Sequence, residues 1–546
     1  MTFLNPWPIL SIIFLLVNPI RGVDDPKIAK SYTTSHNTNS LLHRELDLEN
    51  GASSFPAMVD ALEVMQSLFW DPSISTWPLG IDWTRATFNT HILTALSVMA
   101  TYENFKYRSE IPKYFSEAAA FYTGENATSL VTQKYDDQQW VILEWLEGIK
   151  FINLYSDTDA SFEGRRYRSE FAHRARVFWD LASQGYDTTL CGGGMLWTNQ
   201  LAPYKNAITN QLFVASSIGM HLYFPGDSNP NPSSVPNSTY NSSQALPPVN
   251  AHDSRYLKAA LEEYHWLSTS NMTNAQGLYV DGFHITNWTS PTSIGSGKCD
   301  ARDESVYTYN QGVLLSGLRG LWDATGNDTY LADGYGLMKS VINATGWQSR
   351  STFTSHGSWA GLGSDGILQD LCDVDGSCSQ DSQNFKAIFF HHLTLFCEPL
   401  AMDERQLQKS HYSNDSVIFI ASSAQAQHHQ TRCNSYEPWI LHNARHAYAT
   451  RNATGVYGGW WDANETTPTG WTSSLSGAAD VMNKGIPQNR IWRLPSNPPI
   501  PTAGMTAVVN SSAPDPDLND RGRGRTVETQ NGGLALMTCL VNAQEG

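Results

Sequence analysis

Apolar residues recur at helical spacing down most of this chain, and that period constrains the fold more than any single motif. In 138–156, Trp145, Leu146, Ile149 and Ile152 keep to one side of a helix, in a run of i, i+3, i+4 and i+7 positions. The same reading predicts helices near 55–70, 85–105, 110–122, 138–156, 165–184, 205–223, 253–270, 308–324, 329–343, 383–397, 402–424 and 526–543. Alternating strand patterns are scarce. About a dozen helices joined by loops predict an all-α toroid of helical hairpins. The last amphipathic run, TVETQNGGLALMTCLV, is placed to close the ring.

With 546 residues the chain exceeds what one compact core usually fills, so two domains or one large ring-shaped domain are expected. Its net charge of −17 argues against a nucleic-acid partner, which would need clustered Lys and Arg. The apolar run Trp7–Val17 is too short to span a bilayer but suits a signal-peptide core, although no Lys or Arg precedes it. With Gly22 near the cleavage point, residues 1–22 read as a signal peptide and 23–52 as an N-terminal extension. Residues 53–546 then form the main domain. Sequons at Asn126, Asn237, Asn241, Asn271, Asn287, Asn327, Asn343, Asn414, Asn452, Asn464 and Asn510 support a secreted glycoprotein, extracellular or held at a cell wall. The Pro-, Ser- and Asn-rich stretch 225–250 reads as an exposed glycosylated loop. No apolar C-terminal tail with a small-residue cleavage site is evident, so neither a GPI nor a transmembrane anchor is expected, and the chain is expected to be a monomer.

Seven cysteines in an oxidising compartment predict disulfides with one thiol left over. Cys372 and Cys378 flank a DVDGS turn and form the expected local bridge. That turn lacks the spacing and distal Glu of a calcium loop. The stretch AQHHQTRC (426–433) has no second ligand cluster beside it and reads as polar surface, so no metal is expected.

Residues 135–151, YDDQQWVILEWLEGIKF, place two acids at the head of an apolar helical run. Taken alone this is a helix start, because Asp caps N-termini and the dipole favours acids in the first turn. The alternative is a pair of catalytic carboxylates. Four loops that combine Gly with Trp, at 191–197, 358–363, 456–461 and 469–471, favour a carbohydrate groove: Gly lets backbone approach a ligand, and an indole face suits a sugar ring.

An ordered set of motifs decides between the two. YDDQQW (135–140), CGGGMLW (191–197), YKNAITNQLF (204–213), YTYNQGVLLSGL (307–318), DGILQD (365–370), NFKAIFF (384–390) and GGWW (458–461) lie across roughly residues 55–545. In this the chain resembles glycoside hydrolase family 76, the α-1,6-mannanases, with the related fungal cell-wall proteins proposed to act on mannose-containing anchors. The resemblance implies an (α/α)6 barrel, no cofactor, and retaining hydrolysis of α-1,6-mannosides by two consecutive Asp residues. Carried over, Asp136 is the nucleophile and Asp137 the general acid/base. Spacing agrees: retaining enzymes need carboxyls about 5–5.5 Å apart, and neighbouring Cα atoms are about 3.8 Å apart.

Other matched positions are binding candidates. Trp140 shares a helix face with both acids and supports either the sugar or the core. Asn206 and Asn210 are spaced i, i+4, and Tyr309, Asn310 and Gln311 carry hydroxyl and amide groups suited to sugar hydroxyls. Tyr135, Trp197, Trp460 and Trp461 complete the set. The expected function is a secreted endo-α-1,6-mannanase whose partner is α-1,6-mannan or another mannose-containing glycan. The alternatives are a wall transglycosidase acting on the mannose of GPI-anchored glycoproteins and a non-catalytic glycan-binding wall protein. An inverting barrel glycosidase would need a distant second carboxylate such as Glu144 or Asp365.

Overall fold

Helices that are buried all round alternate along the chain with helices buried on one stripe, and this alternation makes the architecture. The computed structural model describes residues 54–102, 107–233, 245–348, 359–403, 418–463, 517–520 and 523–546. The helices are α1 (Ser54–Phe69), α2 (Asp82–Tyr102), α3 (Glu110–Gly124), the short α4 (Ala127–Leu130), α5 (Tyr135–Thr158), α6 (Arg168–Ala182), α7 (Ala207–Tyr223) and α8 (Ser254–Thr269). They continue as α9 (Tyr309–Thr325), α10 (Asp328–Ala344), the short α11 (Leu371–Asp375), α12 (Phe385–Phe396), α13 (Ser423–Asn434), α14 (Glu437–Ala449) and α15 (Val527–Glu545).

Every residue of α7 from Ala207 to Leu222 is buried, and so is every residue of α15 from Val527 to Asn542. On α8 only Tyr256, Ala260, Glu263, Trp266 and Leu267 are buried. A helix without a solvent face belongs inside, and one with a single apolar stripe lies outside. Accordingly α2, α5, α7, α9, α12 and α15 pack each on the next, and α15 packs back on α2, closing a ring. Around it α3 lies on α2, α6 on α5, α8 on α7, α10 on α9, and both α14 and α1 on α15. Six inner and six outer helices make an (α/α)6 barrel.

The inner helices run in one direction, because their first turns touch. Gln139 Nε2 of α5 donates to the Thr209 carbonyl of α7 (3.3 Å), and Gln211 Nε2 donates to the Asn310 carbonyl of α9 (2.7 Å). Tyr309 of α9 stacks on Phe385 of α12 at 3.8 Å, and Thr84 Oγ1 of α2 donates to Glu528 Oε1 of α15 (3.0 Å). Six positive dipole ends therefore meet at one mouth of the barrel. The inner helices approach closely where they must: a Cβ on Gly312 would lie 2.5 Å from the Phe389 Cα.

The loops above that mouth carry a small antiparallel sheet of β1 (Tyr204–Asn206), β2 (Gly282–Ile285) and β3 (Cys299–Asp303), in that order. The ribbon of β4 (Gly363–Ser364) and β5 (Ile367–Leu368) lies elsewhere in the loops. Disulfides join Cys191 to Cys299, Cys372 to Cys378 and Cys397 to Cys433, and buried Cys539 is the free thiol.

One expected helix, read at 402–424, lies for the most part (404–417) outside the described residues. The run read at 402–424 is non-helical at 418–422, and α13 starts only at Ser423. Its start is set by a capping box in which Ser422 Oγ accepts from the Gln425 N–H and the Ser422 N–H donates to Gln425 Oε1. The polar stretch AQHHQTRC lies within α13, where only His429 and Cys433 are buried. Residues 1–53 fall outside the described residues, and with them the leader and the N-terminal extension. So do Asn237, Asn241, Asn414, Asn464 and Asn510, and residues 234–244 of the 225–250 loop.

Candidate active site

At the head of α5 the two aspartates are held in different ways. Lys134 precedes the helix in extended conformation, and its N–H donates to Asp137 Oδ2 at 3.1 Å, so Asp137 caps the helix. Asp136 faces elsewhere. Its Oδ1 accepts the Asp137 N–H (3.1 Å) and its Oδ2 accepts the Trp197 indole N–H (3.1 Å). Trp197 is fixed by its own backbone: its N–H donates to the Tyr204 carbonyl (2.8 Å) and its carbonyl accepts the Tyr135 N–H (3.1 Å). Helix, loop and sheet thus meet on one carboxylate.

More acids and rings surround the pair. Trp83, at the head of α2, donates its indole N–H to Asp381 Oδ1 at 2.8 Å and stacks on Trp140. Asp281, just before β2, accepts from the Tyr204 hydroxyl (2.5 Å) and Asn310 Nδ2 (3.2 Å). Burial is the first cause of every shift here. It pushes Asp137 up to about 7, helped by the charges of Asp381 and Asp82 and opposed by the Lys134 N–H and ammonium. Burial and then the Asp137 charge push Asp136 well above the usual carboxylate range, against the two N–H donors. Asp281 is raised by burial to about 6, and the Tyr309 hydroxyl is raised by burial, then by Asp281 and Asp136. Two carboxyls this close titrate as a unit, one proton staying on the pair towards neutral pH.

The candidates from sequence divide into two groups. Asp136, Asp137, Tyr135, Trp197, Tyr309 and Asn310 come together at the mouth. Asn206, in β1 beside Gly282, and Asn310 are buried with side-chain oxygens that have no protein partner. Trp140 is 4% exposed and lies beneath Trp83 in a cluster with Ile208, Leu212, Val313 and Ile388, so it supports the floor of the mouth.

The rest are committed to the scaffold. Asn210 bonds the Met195 N–H and carbonyl and the Asn206 carbonyl. Gln311 does the same for the Tyr279 N–H and carbonyl and the Tyr307 carbonyl. Trp460 and Trp461 are buried, with their indole N–H groups on Gln369 Oε1 and the Gly458 carbonyl. Glu144 is wholly buried against Asn89, and Asp365 occupies the β4–β5 turn, so neither offers a second carboxylate at the mouth. Sequence reasoning missed Trp83, Asp82, Asp281 and Asp381. The cue was an acid beside a predicted helix or turn, in DWT, VDG and QDSQNF.

Among the described residues one group of His, Cys and acidic side chains is close enough to share an ion, Cys372, Asp373 and Cys378. Its two sulfurs are already bonded to each other. No described helix is long and apolar enough to cross a membrane.

The family model of Glycosyl hydrolase family 76 matches residues 234–472. Over that span, less than half of its length, the chain is similar to glycosyl hydrolase family 76. The matched span begins after α7 and does not include Asp136 and Asp137. The mannan endo-1,6-α-mannosidase DCW1 of Saccharomyces cerevisiae is 25% identical over 262 residues, 46% of this chain and 45% of the relative. DFG5 of the same yeast, likewise a mannan endo-1,6-α-mannosidase, is 26% identical over 221 residues, 38% of this chain and 36% of the relative. The chain thus matches less than half the length of these relatives. In fold it is similar to the GH76A α-1,6-mannanase of Salegentibacter sp. HEL1_6, with TM-score 0.50, 16% identity, and coverage of 89% of this chain and 98% of that one. It is also similar to Dfg5 from Chaetomium thermophilum in complex with glucosamine, with TM-score 0.53, 13% identity, and coverage of 91% and 92%.

Proposed function

We propose that this chain is a family 76 enzyme, a retaining glycoside hydrolase that cuts α-1,6-mannan internally. The observation that carries the reading is the buried Asp136–Asp137 pair at the barrel mouth, Asp136 receiving the Asp137 and Trp197 N–H groups, Asp137 the Lys134 N–H, and both carboxyls raised by burial. Asp136, held by the Trp197 indole and the Asp137 amide, attacks the anomeric carbon. Asp137 gives its proton to the departing glycosidic oxygen, then takes one from the water that releases the glycosyl-enzyme. The acids around the pair stabilise the positive charge of an oxocarbenium-like transition state. Support for the substrate comes from the relatives: an inactive Salegentibacter variant, with two consecutive aspartates replaced by alanine, is known in complex with α-1,6-mannotetrose.

Secretion belongs to the same reading. The six sequon asparagines among the described residues, Asn126, Asn271, Asn287, Asn327, Asn343 and Asn452, are all exposed, as glycan attachment requires. A second reading, transfer of mannosyl groups to a sugar acceptor in the cell wall, is favoured by the likeness to Dfg5 seen with glucosamine and by the excess of acids, which suits a cationic amino sugar. Incubation with linear α-1,6-mannan and sizing of the products tests both. Shorter oligosaccharides of mixed length support the endo-hydrolase. Intact mannan, with a new glycoside made only when an acceptor is added, supports transfer and overturns hydrolysis.

A further inference from the structure

The loop that carries Trp197 to Asp136 is gathered round a buried ammonium. Lys205, in β1, is 1% exposed, and its Nζ donates to the carbonyls of Asp187 (2.9 Å), Leu190 (2.9 Å), Gly193 and Gly194 (3.0 Å), with Asp187 Oδ2 at 3.4 Å. Four carbonyls of one loop turn inward on a single cation, which an apolar side chain cannot replace. Gly193 and Gly194 make this possible, with φ of 144° and 88° and no space for a Cβ, which would sit 2.9 and 2.7 Å from the Trp266 ring. Asn210 holds the next residue, Met195, by both backbone groups. Two residues further on, Trp197 meets the Tyr204 carbonyl, one residue from Lys205 itself. Buried Glu263, raised by burial and moderated by Lys205, is the other titratable group near this ammonium besides Asp187.

We propose that Lys205 is a positioning residue for the catalytic pair: it folds the 187–194 carbonyls about its ammonium and so holds the Trp197 indole N–H on Asp136. The inference rests on the assignment of Asp136 as nucleophile. Lys205 bonds neither Asp136 nor Asp137. Its effect passes through one hydrogen bond to an anion.

The test compares Lys205→Met, Lys205→Arg, Trp197→Phe and the double variant K205M/W197F on α-1,6-mannan. In 15N-tryptophan-labelled protein, the indole resonance of Trp197 is assigned by its loss in W197F. With the fold intact by circular dichroism, K205M lowers kcat about ten- to a hundredfold, the scale of one hydrogen bond to a charged group, with KM little changed. K205R recovers part of the loss, because it keeps charge and donors. The double variant is no worse than the poorer single, and the Trp197 indole resonance moves in K205M. If K205M does not fold, Asp187→Asn gives the same shift of that resonance and a smaller fall in kcat. A K205M protein that melts earlier but keeps wild-type kcat and an unmoved resonance overturns the proposal. So do K205M and W197F losses that multiply. Wild-type protein inert on mannan, with the resonance still moving in K205M, overturns the assigned function and leaves the positioning intact.

Discussion

Replacing Glu263 by Gln should make the protein more stable, and only at higher pH. Glu263 lies in the buried stripe of α8, wholly inaccessible, with neither carboxyl oxygen bonded to a protein donor. Burial pushes it up from 4.5 to about 8, although the Lys205 charge works the other way. Because the folded value is above the unfolded one, the native state keeps a proton that the unfolded chain has released. Stability is therefore complete below about pH 4.5 and falls as pH rises towards about 8, at about 1.4 kcal/mol per unit. Across that 3.5-unit gap the ceiling is about 5 kcal/mol. Gln cannot ionise, so the variant loses this slope. Urea unfolding from pH 4.5 to 8.5 should give near-equal stability for both proteins at the acid end. The difference should widen in favour of E263Q with each unit, reaching several kcal/mol at pH 8.5. Parallel curves would show that Glu263 is ionised or solvated in the folded state and would refute the reasoning.

Three further outcomes can be checked. With Asp137 near 7, kcat/KM on mannan should fall about tenfold per pH unit above that value as the acid loses its proton, and a flat profile from pH 6 to 9 would contradict its role. Gly194→Ala, whose Cβ would meet three Trp266 ring atoms at 2.7 Å from a φ of +88°, should cost about 2–4 kcal/mol by thermal unfolding, and an unchanged melting temperature would count against the loop geometry. From a secretory host, intact mass should show a chain starting near Val23 that loses several glycans on deglycosylation. An unprocessed, unglycosylated chain would end the secretory reading.

The parts of this molecule legible in sequence are those built locally. Helical period located nearly all the barrel helices, whereas Asp136 and Asp137 alone read as a helix start and became catalytic candidates only through the ordered motifs around them. The start of α13 shows the limit: its deciding signal was the small Ser422–Gln425 box, not an apolar period. The surroundings of the pair were hidden because they are joined across long stretches of chain, as Trp83 is to Asp381, 298 residues apart. Motif membership also misled. Asn210 and Gln311 are amides in matched motifs, yet both spend their bonds on backbone, which a residue type alone does not reveal.

The central claim is the division of labour at the head of α5, and one pre-steady-state measurement tests it most directly. Asp136→Asn and Asp137→Asn are each mixed with an aryl α-mannoside carrying a good leaving group, and aryl release is followed together with the mass of the protein. Without Asp137 the activated leaving group needs little protonation, so the account predicts a burst and an accumulating glycosyl-enzyme one sugar heavier. Without Asp136 no covalent intermediate can form, so neither should be seen. A burst from D136N and none from D137N would mean the roles are exchanged, and wild-type turnover in both would reduce the pair to a helix cap.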